Sequence, residues 1–219
     1  FMRICILDND VIEPDGVPIW GSYAAMFETL LRAAGYQGHV DAFSARLGQY
    51  PPSFDAYDAV LLTGSRSDSF SDEAWVVQLR ACVSALLAKG QKLVGVCFGH
   101  QIIAQALGGK VEKFEGGWSV GRTEYTLDGQ PLALNAWHQD QVTQLPESAR
   151  VVGSSDFCAN AMLAYGDNIW TIQPHPEFNP AFVDGLIKTR GKGVVPDARL
   201  EAATAELTKP LNSNDIAGC

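Results

Sequence analysis

Long apolar runs are missing from this 219-residue chain, and none approaches the roughly 18 residues that a membrane-spanning helix requires. No membrane partner is expected. Cationic residues are also scarce, with 16 Lys and Arg against 25 Asp and Glu and a formal net charge of −9. That deficit argues against a general affinity for phosphate backbones, which needs clustered positive charge, so no nucleic-acid partner is expected. Cysteines at metal-binding spacing are lacking too. Cys5, Cys82, Cys97, Cys158 and Cys219 are scattered, and none has a close Cys or His partner at zinc spacing, so the expectation is no metal and no cofactor. An odd cysteine count and the absence of a leader pattern in the first residues point to a reducing compartment, and the expected location is cytoplasmic. Internal repeats and low-complexity segments are absent as well.

What is present is a 47% hydrophobic composition over a length that suits one substantial core and is short for two, so residues 1–219 are read as a single domain. The first half alternates strand-like and helix-like segments. Strands are expected at 3–7, 39–43, 59–63 and 92–96, and helices at 23–34, 73–89 and 101–107, several closed by a glycine such as Gly35 or Gly90. Such alternation predicts an α/β fold, a parallel sheet covered by helices on both faces. From Gly109 the pattern changes to short β-like runs at 111–114, 122–126, 133–137, 150–153, 161–165 and 169–173, separated by Gly, Asp, Asn and Pro. A helix at 180–189 closes this β-rich half. A surface or docking helix is expected at 197–207, followed by a frayed end.

The most informative stretch is Val94-Gly95-Val96-Cys97-Phe98-Gly99-His100-Gln101, where an apolar strand becomes a helical pattern. A strand feeding straight into a helix leaves the connecting residue in a tight turn, and flanking glycines relieve the crowding. A thiol there lies near unpaired N–H groups and the positive end of the helix dipole, both of which favour a thiolate. The competing reading is a free cysteine packed at the start of a core helix. Ligands bind outside the carboxyl ends of parallel strands, and Gly64 and Cys97 each follow a predicted strand, which favours a nucleophile.

A cysteine nucleophile needs an imidazole. Of the four histidines, His39 opens a strand and His100 lies on the same helix as Cys97, while His138 sits within Trp137-His138-Gln139-Asp140. His175 is the best candidate, because it follows the strand at 169–173 and is held between Pro174 and Pro176. Glu177, two residues on, is close enough to orient the ring and complete a Cys–His–Glu relay.

Gly95-Val96-Cys97-Phe98-Gly99-His100-Gln101 with the distant His175-Pro176-Glu177 resembles the class I, triad-type glutamine amidotransferases. The resemblance extends to Leu62-Thr63-Gly64-Ser65 and to Trp137-His138-Gln139-Asp140-Gln141-Val142, spanning about residues 3–189. It implies a flavodoxin-like three-layer sandwich with a mostly parallel central sheet. It also implies that Cys97 attacks a γ-glutamyl amide, that His175 moves the proton and that Glu177 orients His175. Backbone N–H groups of Gly64 and Phe98 would hold the oxyanion, and Gln101, Trp137, His138 and Gln139 would contact the substrate. Ordinary structural roles remain open for Gln101, Trp137 and His138.

Where the family often has Gly-Gly-Pro, this chain has Gly64-Ser65-Arg66-Ser67-Asp68, similar to stand-alone members related to the GMP-synthase amidotransferases and the γ-glutamyl peptidases. The roles of Arg66 and Asp68 are left open. No segment reads as an ATP-using synthetase domain. The resemblance therefore implies glutamine hydrolysis that releases glutamate and ammonia, with a separate synthetase subunit as one possible acceptor. The alternatives are cleavage of γ-glutamyl peptides or glutathione-type conjugates, or a non-catalytic metabolite-binding regulator.

Overall fold

A computed structural model describes residues 1–219. Its strands are β1 (Arg3–Asp8), β2 (His39–Ser44), β3 (Ala59–Leu62), β4 (Lys92–Val96), β5 (Lys110–Lys113), β6 (Ser119–Leu127), β7 (Gln130–His138), β8 (Asp140–Gln144), β9 (Arg150–Ser154), β10 (Met162–Tyr165) and β11 (Ile169–Ile172). The helices are α1 (Val17–Trp20), α2 (Tyr23–Ala33), α3 (Ala74–Ala88), α4 (Phe98–Ala106), α5 (Pro180–Lys188), α6 (Asp197–Ala205) and α7 (Ser213–Ala217).

Nine strands form one sheet in the order β2-β1-β3-β4-β11-β10-β9-β6-β7. The first five run parallel, and the remaining strands join antiparallel beyond β11. Alternation within β1 explains the layering. Cys5 and Leu7 face a core shared with Val76, Leu79 and Val83 of α3 and Ile102 and Ile103 of α4. Ile4 and Ile6 face the opposite core, with Ala24 and Phe27 of α2 and Ile216 of α7. The result is the expected flavodoxin-like α/β sandwich with a β-rich C-terminal half.

Local chemistry fixes the helix starts. Ser22 Oγ accepts from Ala25 N–H at 3.0 Å to cap α2, and Asn179 Oδ1 accepts from Phe182 N–H at 2.8 Å to cap α5, which opens with Pro180.

Three features depart from the sequence reading. Helix α4 begins at Phe98 rather than Gln101, so Cys97 is its N-cap residue. The segment after His138, given no strand by pattern, forms β8 and pairs with β5 in a separate two-stranded sheet. The C-terminal end, expected to be frayed, packs on the sheet and α2: Asn212 N–H donates to Ala133 O at 2.8 Å, Ala133 N–H donates to Asn212 Oδ1 at 2.7 Å, and Ile216 is buried. So short a segment gives no periodicity to read, yet Asn212 ties it to β7 and Ile216 packs beside Phe27 of α2. No helix is long and apolar enough to cross a membrane.

Candidate active site

Strand register brings the candidate residues to one edge. Leu62 of β3 pairs with Gly95, and Ile172 of β11 pairs with Val96 of β4. Gly64, Cys97 and the segment 173–177 therefore emerge from the carboxyl ends of three neighbouring parallel strands, where open α/β sheets place their ligands.

Cys97 has φ 52° and ψ −104°, a left-handed conformation that non-glycine residues rarely adopt. Its backbone is held on both sides: its N–H donates to Ile172 O at 2.8 Å, and its carbonyl accepts from Gln101 N–H at 3.0 Å. The two glycines around it make this turn possible. A Cβ on Gly95 would lie 2.6 Å from Gly99 O, and one on Gly99 would collide with the Leu62 carbonyl oxygen. Strand, turn and helix can approach this closely only without side chains there.

His175 faces this turn from the segment that follows β11. A Cβ added to Gly64 would stand 2.7 Å from His175 Cε1 and 3.5 Å from Cys97 Cβ, so the three residues meet around a gap that only glycine leaves open. His175 Nδ1 lies 2.8 Å from Glu177 Oε2. With Nδ1–H donating to that carboxylate, Nε2 is left for Cys97. The ring stacks on Phe178, with centroids 3.9 Å apart and planes 1° from parallel. Burial opposes a charge on His175, but the Glu177 carboxylate, the Cys97 sulfur and hydrogen bonds to both push its pKa up to about 10.

Two residues outside the predicted set complete this arrangement. Gln173, fully buried, directs Nε2 at Cys97 Sγ from 3.4 Å. Asn135 of β7 accepts His175 N–H on its carbonyl at 2.8 Å and donates Nδ2–H to Phe178 O at 2.9 Å, clamping both ends of the His175–Phe178 turn. Gln173 has a positional signal, since it ends the strand-like run before His175. Asn135 has none, because its partner is 40 residues away in sequence.

A cavity of about 450 Å³ opens on Cys97 and includes Gln101, Trp137, His138 and Gln139 in its wall. Its size lies in the ordinary range for small-molecule sites. Gln101 is buried and its Nε2 is engaged by Asp140 O and Gln173 Oε1, each at 3.1 Å. Trp137 presents its carbonyl oxygen 4.0 Å from Cys97 Sγ. His138 Nδ1 lies 3.1 Å from Asp140 O, so that nitrogen donates, and the buried Nε2 has no partner. Burial lowers the His138 pKa to about 3, which keeps the ring neutral. His100 is not at the cavity: it is fully buried, with Nδ1 2.7 Å from Thr171 Oγ1.

The charged rim is mostly self-paired. Arg66 Nε bonds Asp10 Oδ1 at 3.0 Å, its Nη1 bonds Glu13 Oε1 at 3.0 Å and its Nη2 bonds Val11 O at 2.8 Å. Lys113 Nζ sits 3.5 Å from both Asp68 and Asp140. Burial, a hydrogen bond with Asp68 and repulsion from it push Asp140 up to about 6, against the pull of Lys113.

Gly64 N–H makes no hydrogen bond within the chain. Phe98 is the first residue of α4, where an N–H has no acceptor in its own helix. Cys97 opens both on this cavity and on a second of about 30 Å³ lined by His175 and Gly64, so the thiol-bearing turn, the imidazole–carboxylate pair and the unpaired Gly64 N–H meet at the small cavity.

Residues 21–185 match the family described as glutamine amidotransferase class-I. The chain belongs to this family. It is 34% identical over 176 residues to γ-glutamyl peptidase 3 of Arabidopsis thaliana, covering 72% of this chain and 71% of that protein. A putative glutamine amidotransferase-like protein of Schizosaccharomyces pombe is 27% identical over 241 residues, covering 98% and 95%. In fold, the chain is similar to a glutamine amidotransferase from Thermotoga maritima, with a TM-score of 0.74 at 20% identity and coverage of 99% and 95%.

Proposed function

We propose that this protein is a hydrolase of γ-glutamyl amides that works through a thioester on Cys97, with glutamine as one substrate. The reading rests on the left-handed turn that aims Cys97 at His175 while Glu177 holds the far side of the imidazole at 2.8 Å. Cys97 Sγ bonds to the amide carbon, and the proton that His175 holds opposite the sulfur passes to the departing amine as the C–N bond breaks. Water then attacks the thioester carbon and passes a proton to His175, the C–S bond breaks, and glutamate leaves with the Cys97–His175 pair restored to its starting state. Gly64 and Phe98 N–H groups stabilise the oxyanion of both steps, a contribution of about 10²–10³ in rate per donor in comparable sites.

Glutamine and larger γ-glutamyl compounds share this chemistry and differ in the group that leaves. The cavity of about 450 Å³ and the 34% identity to a protein named as a γ-glutamyl peptidase favour the larger substrates as a second reading. A partner synthetase as ammonia acceptor is the expectation if glutamine is the main substrate.

Ammonia and glutamate release from glutamine, with γ-glutamyl peptides in parallel, tests the proposal. Activity should vanish in Cys97→Ala, and mass spectrometry of acid-quenched wild type should find a γ-glutamyl adduct on the Cys97 peptide. Cys97-independent turnover, or binding with no adduct, would sink the hydrolase reading and leave the metabolite-binding regulator. Stimulation of glutamine turnover by a co-purifying synthetase would favour the ammonia-donor form.

A further inference from the structure

Among the cations lining the Cys97 cavity, one is not neutralised. Arg66 is paired with Asp10 and Glu13, and Lys113 with Asp68 and Asp140. Arg190, just beyond α5, has no carboxylate partner, and its only side-chain hydrogen bond runs from Nη1 to the neutral hydroxyl of Tyr23 at 3.2 Å. It is half-buried rather than free in solvent. A guanidinium held in a partly dry wall with donors to spare suits a planar anion such as a carboxylate.

Position identifies which end of a substrate this donor meets. Arg190 lines the large cavity and also a second one of about 30 Å³, which includes His175, Tyr23 and Gly64. Gln101, His138 and Gln139 line only the large cavity. His175 protonates the leaving amine, so the leaving group lies on the side of the sulfur shared with Arg190. The small cavity holds little more than a water or ammonia molecule, and anything larger must extend along Arg190. There it meets an apolar wall made by Trp118 and the exposed Val194.

We infer that Arg190 is a specificity-determining residue that binds a carboxylate on the leaving group, making γ-glutamyl amino acids with apolar side chains a preferred substrate class. This rests on the γ-glutamyl hydrolase reading above. Ammonia released from glutamine offers Arg190 nothing to bind, whereas a γ-linked amino acid places its own carboxylate there and its side chain against Trp118 and Val194.

The test compares kcat/KM for γ-glutamyl-leucine and γ-glutamyl-leucinamide, which differ only in the terminal carboxylate, with glutamine in the same panel. Wild type should favour the carboxylate by about 10- to 100-fold, the range of one charge-assisted contact. Arg190→Ala should lose that preference and Arg190→Lys should keep part of it. The ratio within one protein sample does not depend on how much of it is folded, so a destabilised variant still reports the preference. No preference in wild type would overturn the inference. So would an Arg190→Ala variant that slows both compounds equally, because the guanidinium would then serve the fold or the glutamyl group's own carboxylate. In either case Cys97-dependent turnover of the panel would leave the hydrolase reading standing. No turnover of any of the three would overturn both.

Discussion

The amide of Gln173 bridges two parts of the site: its Nε2 lies 3.4 Å from Cys97 Sγ and its Oε1 accepts from Gln101 Nε2 at 3.1 Å. Since Gln101 also donates to Asp140 O, one chain of amides fixes which way Gln173 points and directs an N–H at the sulfur. A donor aimed at a group that carries charge during reaction contributes about 1.5–3 kcal/mol. Gln173→Ala should therefore slow alkylation of Cys97 by iodoacetamide at neutral pH by about 10-fold or more, with a parallel loss in kcat/KM. Unchanged alkylation in a folded variant would assign Gln173 a packing role only.

The His175–Glu177 pair makes a graded prediction. In the proposed mechanism His175 transfers protons while Glu177 orients it and supports its charge, so His175→Ala should abolish turnover and Glu177→Gln should leave a measurable residue. The pH profile separates the two roles. A pKa raised to about 10 means His175 keeps the proton it must deliver until pH rises through about 10, and activity should fall there. Removing the Glu177 charge weakens the main attraction that offsets burial, so the alkaline limb in Glu177→Gln should move to lower pH. A stationary limb would disconnect it from His175.

Two glycines at the site do different jobs, and alanine separates them. At Gly64 the nearest obstacle to a Cβ is the His175 ring at 2.7 Å, a side chain that can shift; at Gly99 it is the backbone of Leu62 in β3. Gly64→Ala should lower kcat by roughly 10²-fold with little loss of stability, because small displacements of reacting groups cost rate steeply. Gly99→Ala should lower the free energy of unfolding by about 1–3 kcal/mol in urea, the range for overpacking a dense core. The reverse pattern would contradict this division.

Much of this site was legible from local chemistry. The Gly95-to-Gly99 spacing reflects a steric need that recurs whenever a strand turns directly into a helix, and the prolines around His175 constrain it within its own tripeptide. The rest depends on pairing across the sheet. Asn135 reaches the His175 turn only because β7 curls back to meet it in an isolated bridge, and β8 has meaning only opposite β5. Arg190 carries no motif at all, and its lack of an acidic partner emerges only once Arg66 and Lys113 are seen to have theirs.

The C-terminal end offers a test of stability rather than catalysis. Ile216 is buried against Phe27 of α2 and the sheet beneath it, and Asn212 makes two bonds to Ala133 on β7. Ile216→Ala should cost about 2 kcal/mol, at the low end for buried isoleucine because a terminal helix can relax. Equal urea midpoints for variant and wild type would return this segment to the frayed state its sequence suggested.

Buried His100 should leave a signature in acid. Burial lowers its pKa from 6.5 to about 3, with neighbouring His138 acting in the same direction. An unfolded chain takes up a proton at this residue as pH falls through 6.5, while the folded chain refuses it until about 3. Stability linked to His100 is thus fully present above pH 6.5 and drains away across the window below it. Asp8, pushed up to about 6 by burial, and Asp140, also at about 6, act in the opposite sense over the lower part of that window. Both are common to wild type and variant. His100→Gln retains a partner for Thr171 Oγ1 but removes the titration, so its unfolding free energy should fall less steeply than that of wild type between pH 6.5 and 4. The comparison is of slopes, so any constant loss from repacking drops out. Parallel slopes would mean that His100 does not take part in the acid response.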